Sequence, residues 1–259
     1  MNVLVKTNRE KTRQFSQVQV INRAATILRA IRDSGGLTLS QLARNVGLAR
    51  TTVYRIVATL ESEGLLTTAA PGGKIQLGIE LISLGASVRT DVRRELRPYL
   101  EELSLRIDET VDLAILDKDH AIFLDQVTRL QRLHAVSGIG IEFPLHCTAN
   151  GKSLLSTLLI DEVIRIIPKK LHSYTPKTLQ TRDELLQELE TVRLTGVAYD
   201  REEHTQGICA VGAVVYAPMD TIAALTIPVP SVRFYGNEEN LVSALLQTCQ
   251  AINSRYRQL

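Results

Sequence analysis

The sequence predicts an α+β chain in two parts. An N-terminal winged helix-turn-helix comes first; beyond a helical linker lies a domain with an antiparallel sheet flanked by helices. Three observations carry this reading. Gly36–Leu66 (GLTLSQLARNVGLARTTVYRIVATLESEGLL) holds two amphipathic helical patterns separated by a turn at Gly47. Two short apolar runs around Pro71-Gly72-Gly73 follow at once, as a hairpin requires. After Asp108 the apolar period shortens from that of a helix to that of strands mixed with helices.

Residues 1–17 are polar, with Lys6, Arg9, Lys11 and Arg13, and read as a flexible basic arm. The first domain spans 18–78. In its first helix Val20, Ala24, Ile27, Leu28 and Ile31 share an inward face, and Ser34-Gly35-Gly36 ends it. Thr38 is placed to cap a second helix that turns Leu39, Leu42, Ala43 and Val46 inward. A third helix, Ala49 to Glu63, buries Val53, Ile56, Val57 and Leu60, and Gly64 stops it. Leu65 to Leu77 forms the wing.

Residues 79–90 are a helical linker carrying Ile79, Ile82 and Leu84, and the second domain spans 91–259. It opens with a helix from Asp91 to Ile107, interrupted or kinked at Pro98. Strands are expected at 110–116, 121–127, 133–136, 209–216 and 221–228. Helices are expected at 151–158, 161–167, 181–193 and 238–257, the third with a capping box of Thr181 and Glu184.

Composition narrows the class. The 259 residues are 44% hydrophobic and 22% charged, typical of a globular chain. No apolar run is long enough for a membrane span, and the N-terminus lacks a signal-peptide core, so a cytoplasmic setting is expected. Three scattered cysteines fit that reducing setting, and no CxxC points to zinc. The net charge of +2 conceals an asymmetry: residues 1–78 carry 11 Lys and Arg against 4 Asp and Glu, the rest 19 against 24. A basic first domain suits a polyanion.

A helix entering the major groove needs polar and basic side chains on its first turns and an apolar back. Arg50, Thr51, Thr52, Tyr54 and Arg55 meet that demand on the third helix. Gln41 and Arg44 of the second helix, and Lys74 beside the wing tip, are placed for phosphate. Double-stranded DNA is therefore the expected partner.

The chain from about Ser16 to Tyr256 resembles the isocitrate lyase regulator (IclR) family of bacterial transcription factors. The likeness rests on INRAATILRAI, the helix-turn-helix segment and KIQLG in the first domain, and on FPLHCTANGKSLLS (143–156) and GVAYDREEHTQGICAVGAVVY (196–216) in the second. It implies a GAF-like or profilin-like effector-binding domain, homodimers or dimers of dimers on palindromic operators, and control by a small organic or aromatic acid.

By the family's pattern Ala149 and Asn150 offer backbone N–H groups at a helix start, which is also a natural anion site on physical grounds. Ala135 and Phe143 wall the pocket, and Asp200 binds a ligand hydroxyl or holds its loop. Cys209, Ala210, Thr226 and Pro228 come from two late strands. The chain departs from the pattern, which has Ser at Thr226 and Pro228, Gly at Val229 and often Cys at Ala210. A larger or more apolar acid than glyoxylate or pyruvate is implied.

The second domain also carries residues that suggest other functions. Gly151-Lys152-Ser153 resembles the end of a P-loop, but His146 stands where its first Gly is required, so no nucleotide cofactor is expected. Lys152 instead covers a carboxylate or a subunit interface. Asp200, Glu202, Glu203 and His204 with His146 and Cys209 suggest a metal- or redox-responsive sensor, although no tight ligand spacing supports a metal. His146-Cys147 suggests an enzyme, but adjacent side chains rarely face each other. A DNA-binding protein with a filled, ligand-free second domain is the remaining alternative.

Overall fold

The computed structural model describes residues 18–68, 73–86, 90–129 and 138–256. The basic arm, the wing tip at 69–72, linker residues 87–89, the expected strand at 133–136 and Ala135 lie outside the described residues. The chain divides into two compact units, 1–88 and 89–259.

In the first unit α1 (Gln19–Ser34), α2 (Leu39–Asn45) and α3 (Arg50–Ser62) pack around Ile27, Ile31, Leu42, Val53, Ile56, Val57 and Leu60. Gly35 closes α1 at φ 68, the left-handed conformation glycine adopts without strain. Thr38 caps α2 in a reciprocal box with Gln41. The wing is β1 (Leu66–Thr68) paired antiparallel with β2 (Ile75–Leu77). One expectation fails: Val20, in the first turn of α1, is 56% exposed. The linker forms α4 (Glu80–Ala86); its Ile82 and Leu84, and Ile79 just before it, are exposed.

The second unit opens with α5 (Thr90–Ile107), which runs through Pro98 as one helix and buries Val92, Leu96, Leu100 and Leu103. Its sheet comprises β3 (Val111–Asp117), β4 (His120–Val127), β5 (Glu142–Pro144), β6 (Ala198–Arg201), β7 (Ile208–Ala217) and β8 (Thr221–Pro230), in the order β5-β4-β3-β8-β7-β6, all antiparallel. Alternation splits the side chains between two cores. Leu113, Val211 and Leu225 meet α5, α9 (Ser231–Phe234) and α10 (Glu238–Tyr256). Ala114, Phe123 and Ala224 meet α6 (Ala149–Ser156), α7 (Ile160–Ile166) and α8 (Arg182–Thr195).

The pattern missed β5, β6 and α9, elements of three or four residues, too short to show a period. It also ended β8 early, at Pro228. β3 pairs with β8 only as far as Asp112 opposite Thr226. Beyond that point β8 has a neighbour on one side alone, and proline's missing N–H is tolerated there.

Candidate functional site

The first unit offers an exposed α3 face. Arg50, Thr51, Tyr54 and Arg55 are exposed and Thr52 half-buried, while Val53, Ile56 and Val57 hold the helix down. The N-cap residue Ala49 makes no side-chain cap, and the first turn has no acid. The leading N–H groups and Arg50 thus present positive charge at one end of the helix. Arg44 and Lys74 are exposed. Gln41 is exposed too, but its Oε1 accepts from Thr38 N at 3.0 Å and Thr38 Oγ1 at 2.9 Å, so its carbonyl is committed to the cap.

The second unit holds a cavity of about 300 Å³, open to solvent on one side, between the sheet and the start of α6. Of the anticipated residues, Phe143, Ala149, Asn150, Asp200, Ala210, Thr226 and Pro228 line it. Cys209 is a correction. It is fully buried on the opposite sheet face, in the core under α5 and α10, because neighbours along a strand point to opposite sides.

Sequence reasoning missed Asp112, Phe123, Thr148, His204, Thr205 and Ile208. Asp112 had a signal. It is an acid inside the apolar run VDLAIL, where a buried charge is expensive unless a site requires it.

Thr148 caps α6, its hydroxyl accepting from Gly151 N at 3.2 Å and donating to Pro144 O at 2.7 Å. Asn150 Oδ1 also accepts from Gly151 N, at 2.8 Å. Thr226 is 4% exposed and, among the described residues, its hydroxyl has no hydrogen-bond partner. Unpaired buried hydroxyls are uncommon and costly, and this one lines the cavity. Asp200 Oδ1 accepts from Glu203 N at 2.7 Å, which makes it a fastener of the 201–207 loop as well as a wall residue. Burial pushes its pKa up to about 7, helped by the nearby Glu203 charge and opposed by hydrogen bonds from the loop.

The apolar wall is aromatic. Phe143 stacks on His204 at 4.6 Å and meets Phe123 edge-on at 4.9 Å. Burial holds His204 below the ordinary imidazole value.

Lys152 covers carboxylates of its own chain. Fully buried, its Nζ donates to Glu203 at 2.7 and 2.9 Å and to Glu188 at 2.5 Å. The Gly-Lys-Ser motif is thereby explained without phosphate. A Cβ on Gly151 would stand 2.4 Å from Leu145 Cα, Lys152 ties α6 to α8 and the loop, and Ser153 donates to Ala149 O at 2.8 Å.

His146 Nε2 sits 2.9 Å from His172 O rather than on Cys147. Burial pushes all three thiols upward, away from the thiolate that nucleophilic or redox chemistry needs. Among the described residues no three His, Cys, Asp or Glu converge to hold a metal, and no helix is long and apolar enough to cross a membrane.

An exposed, positively charged helix in a helix-turn-helix unit and a separate cavity-bearing domain on one polypeptide point to a transcriptional regulator with an effector domain. The comparisons make the class specific. Residues 20–70 match the IclR helix-turn-helix domain, and residues 85–254 match the bacterial transcriptional regulator IclR C-terminal domain. The chain belongs to the IclR family.

It is 46% identical over 238 residues to HTH-type transcriptional regulator Rv1719 of Mycobacterium tuberculosis, covering 92% of each chain. It is 37% identical over 235 residues to the regulator TtgV of Pseudomonas putida, covering 89% of each. A solved IclR homolog from Microbacterium hydrocarbonoxydans, complexed with 4-hydroxybenzoate, shares the fold with a TM-score of 0.81 at 21% identity, over 92% of this chain and 99% of that one.

Proposed function

We propose that this regulator binds a palindromic operator as a homodimer or dimer of dimers, and that a small organic acid in the second unit's cavity sets its affinity for that operator. One observation carries the ligand reading: a deeply buried threonine hydroxyl without a partner, in a cavity that also receives the start of α6. The helix start suits a carboxylate, Thr226 suits a polar substituent, and Phe143 with Phe123 suits a flat apolar body. The fold relative bound to 4-hydroxybenzoate supports an aromatic acid of similar size.

On the DNA side, Arg50, Thr51, Thr52, Tyr54 and Arg55 enter the major groove, while Arg44, Lys74 and the outer face of Gln41 meet phosphate. The ligand favours one arrangement of the paired subunits, and the linker passes that preference to the spacing of the recognition helices. Half-sites one turn apart fix that spacing near 34 Å, so a modest change suffices.

The test is operator affinity of the full chain, on a duplex selected from random sequence, with and without a panel of aliphatic and aromatic acids. At least one acid is expected to shift affinity between about 5- and 150-fold, the range of ordinary allosteric coupling. Equal affinity across the panel would end the ligand-control reading.

A further inference from the structure

The cavity and α5 lie on opposite faces of the sheet, yet a continuous set of polar contacts joins them. On the cavity face, Gln126 Nε2 donates to Asp112 Oδ1 at 2.7 Å, the two residues being opposite one another in the β3–β4 ladder. The backbone of that same Gln126 is held from the other face. Its N–H donates to Asp125 Oδ1 at 2.9 Å, and its carbonyl accepts from Arg97 Nη1 at 3.1 Å.

Asp125 is fully buried and pairs with two cations of α5: Arg97 at 2.9 Å and Arg93 at 3.2 Å. Both arginines use Oδ1, while Oδ2 is buried with no partner among the described residues. The ladder register shifts between Leu113 and Ala114, which leaves Phe123 on the cavity face and Asp125 on the α5 face only two positions later.

Each of these features costs free energy that a plain apolar strand pair would not. We propose that Asp112, Gln126 and Asp125 form a relay through the sheet, by which a ligand donor arriving at Asp112 changes the grip on Arg93 and Arg97 and hence the state of α5. Asp112 is then the residue that reads a hydroxyl or other donor on the ligand, and Gln126 and Asp125 are positioning residues. This rests on the cavity being the effector site.

The direction of the signal follows from chemistry. A ligand donor at Asp112 competes with the Gln126 amide for the same carboxylate. A displaced Gln126 loosens the peptide that Asp125 and Arg97 clasp. The unpartnered Asp125 Oδ2 gives the arginines a second acceptor, so two arrangements lie close together, as transmission between discrete states requires. α5 is the first element of the second unit, so what alters it sits at the chain's exit toward the DNA-binding unit.

Amide hydrogen exchange of the full chain, without ligand or DNA, tests this. Asp112→Leu frees Gln126, and exchange is expected to rise several-fold at residues 93–101 of α5 but not in α10 on the same sheet face. Asp112→Asn keeps an acceptor for Gln126 and is expected to restore wild-type protection. Ile208→Ala, in the same cavity but off the relay, is expected to leave α5 unchanged. Gln126→Leu, at a half-buried position, gives the same readout should Asp112→Leu fail to fold. Unchanged α5 exchange, or an equal rise in α10 or with Ile208→Ala, would refute the relay. Neither result touches the ligand-control proposal, which stands or falls on operator affinity with the acid panel.

Discussion

Single residues in the cavity trade stability for binding. Thr226 keeps a hydroxyl buried without a partner. Thr226→Val replaces it with a methyl of the same shape, and the relieved penalty is about 1–3 kcal/mol. Thermal unfolding is expected at higher temperature, with weaker binding of the acid by calorimetry. Asp200 sets a pH dependence. Its folded pKa of about 7 exceeds the ordinary 3.8, so the folded state holds a proton that the unfolded chain has already released above pH 4. The Asp200 contribution to stability therefore falls as pH rises from about 4 to about 7 and levels off above. Asp200→Asn retains an acceptor for Glu203 N, so its gain in melting temperature should be nil below pH 4, grow through that window and stay constant beyond it. Ligand affinity follows the same group: a neutral Asp200 tolerates an anion and an ionised one repels it. Acid binding should weaken as pH climbs through 7 in the wild type and remain flat in Asp200→Asn. Lys152 is paired to Glu203 and Glu188; burial lowers the His204 pKa, so the loss of its charge as pH rises weakens acid binding in the same direction, while its own stability contribution rises with pH and opposes that of Asp200.

At the scale of elements, α6 governs the site, and its seat depends on missing side chains. A Cβ on Gly212 would meet Ala149 O at 2.8 Å, and one on Gly151 would meet the Leu145 backbone. Gly212→Ala forces the helix off β7, with an expected loss of about 1–3 kcal/mol on denaturant unfolding and a weaker acid complex. Lys152→Met leaves Glu203 buried without its cation, an expected loss of about 3–5 kcal/mol in the same measurement. Most long elements were legible in the sequence because each carries a full period or a cap, as α3 does with Val53, Ile56, Val57 and Leu60, and α8 with Thr181 and Glu184. Gly151-Lys152-Ser153 was legible as a motif but not as a reason: the reason lies in Leu145, Glu188 and Glu203, which no local spacing connects. Cys209 and Ala210 differ by one position, and only the register of β7 decides which meets the cavity. Asp125 escaped for a related cause, since a bulge in β4 resets the face between Phe123 and Asp125, whereas Asp112 lies on the unbulged β3 and its only signal was a charge inside VDLAIL.

For the whole molecule, the charge asymmetry assigns the salt dependence of DNA binding to the first unit. Arg55 is exposed on α3. Arg55→Ala is expected to weaken operator binding. If the residue meets phosphate, all sequences are affected and the slope of affinity against salt drops by about one. If it reads a base, specificity relaxes at one position, at about 1–3 kcal/mol. Binding and salt slope both unchanged would remove it from the interface. The sheet adds a kinetic consequence. Its two halves, β5-β4-β3 and β8-β7-β6, join along one short seam, Asp112–Ile115 against Ala223–Thr226, between segments more than a hundred residues apart in the chain. A molecule lodged against both Asp112 and Thr226 rivets that seam shut. Its presence should lengthen the lifetime of the folded domain, so that protease or denaturant jumps reveal a slower clock for falling apart even where the effector barely alters how fast the chain comes together.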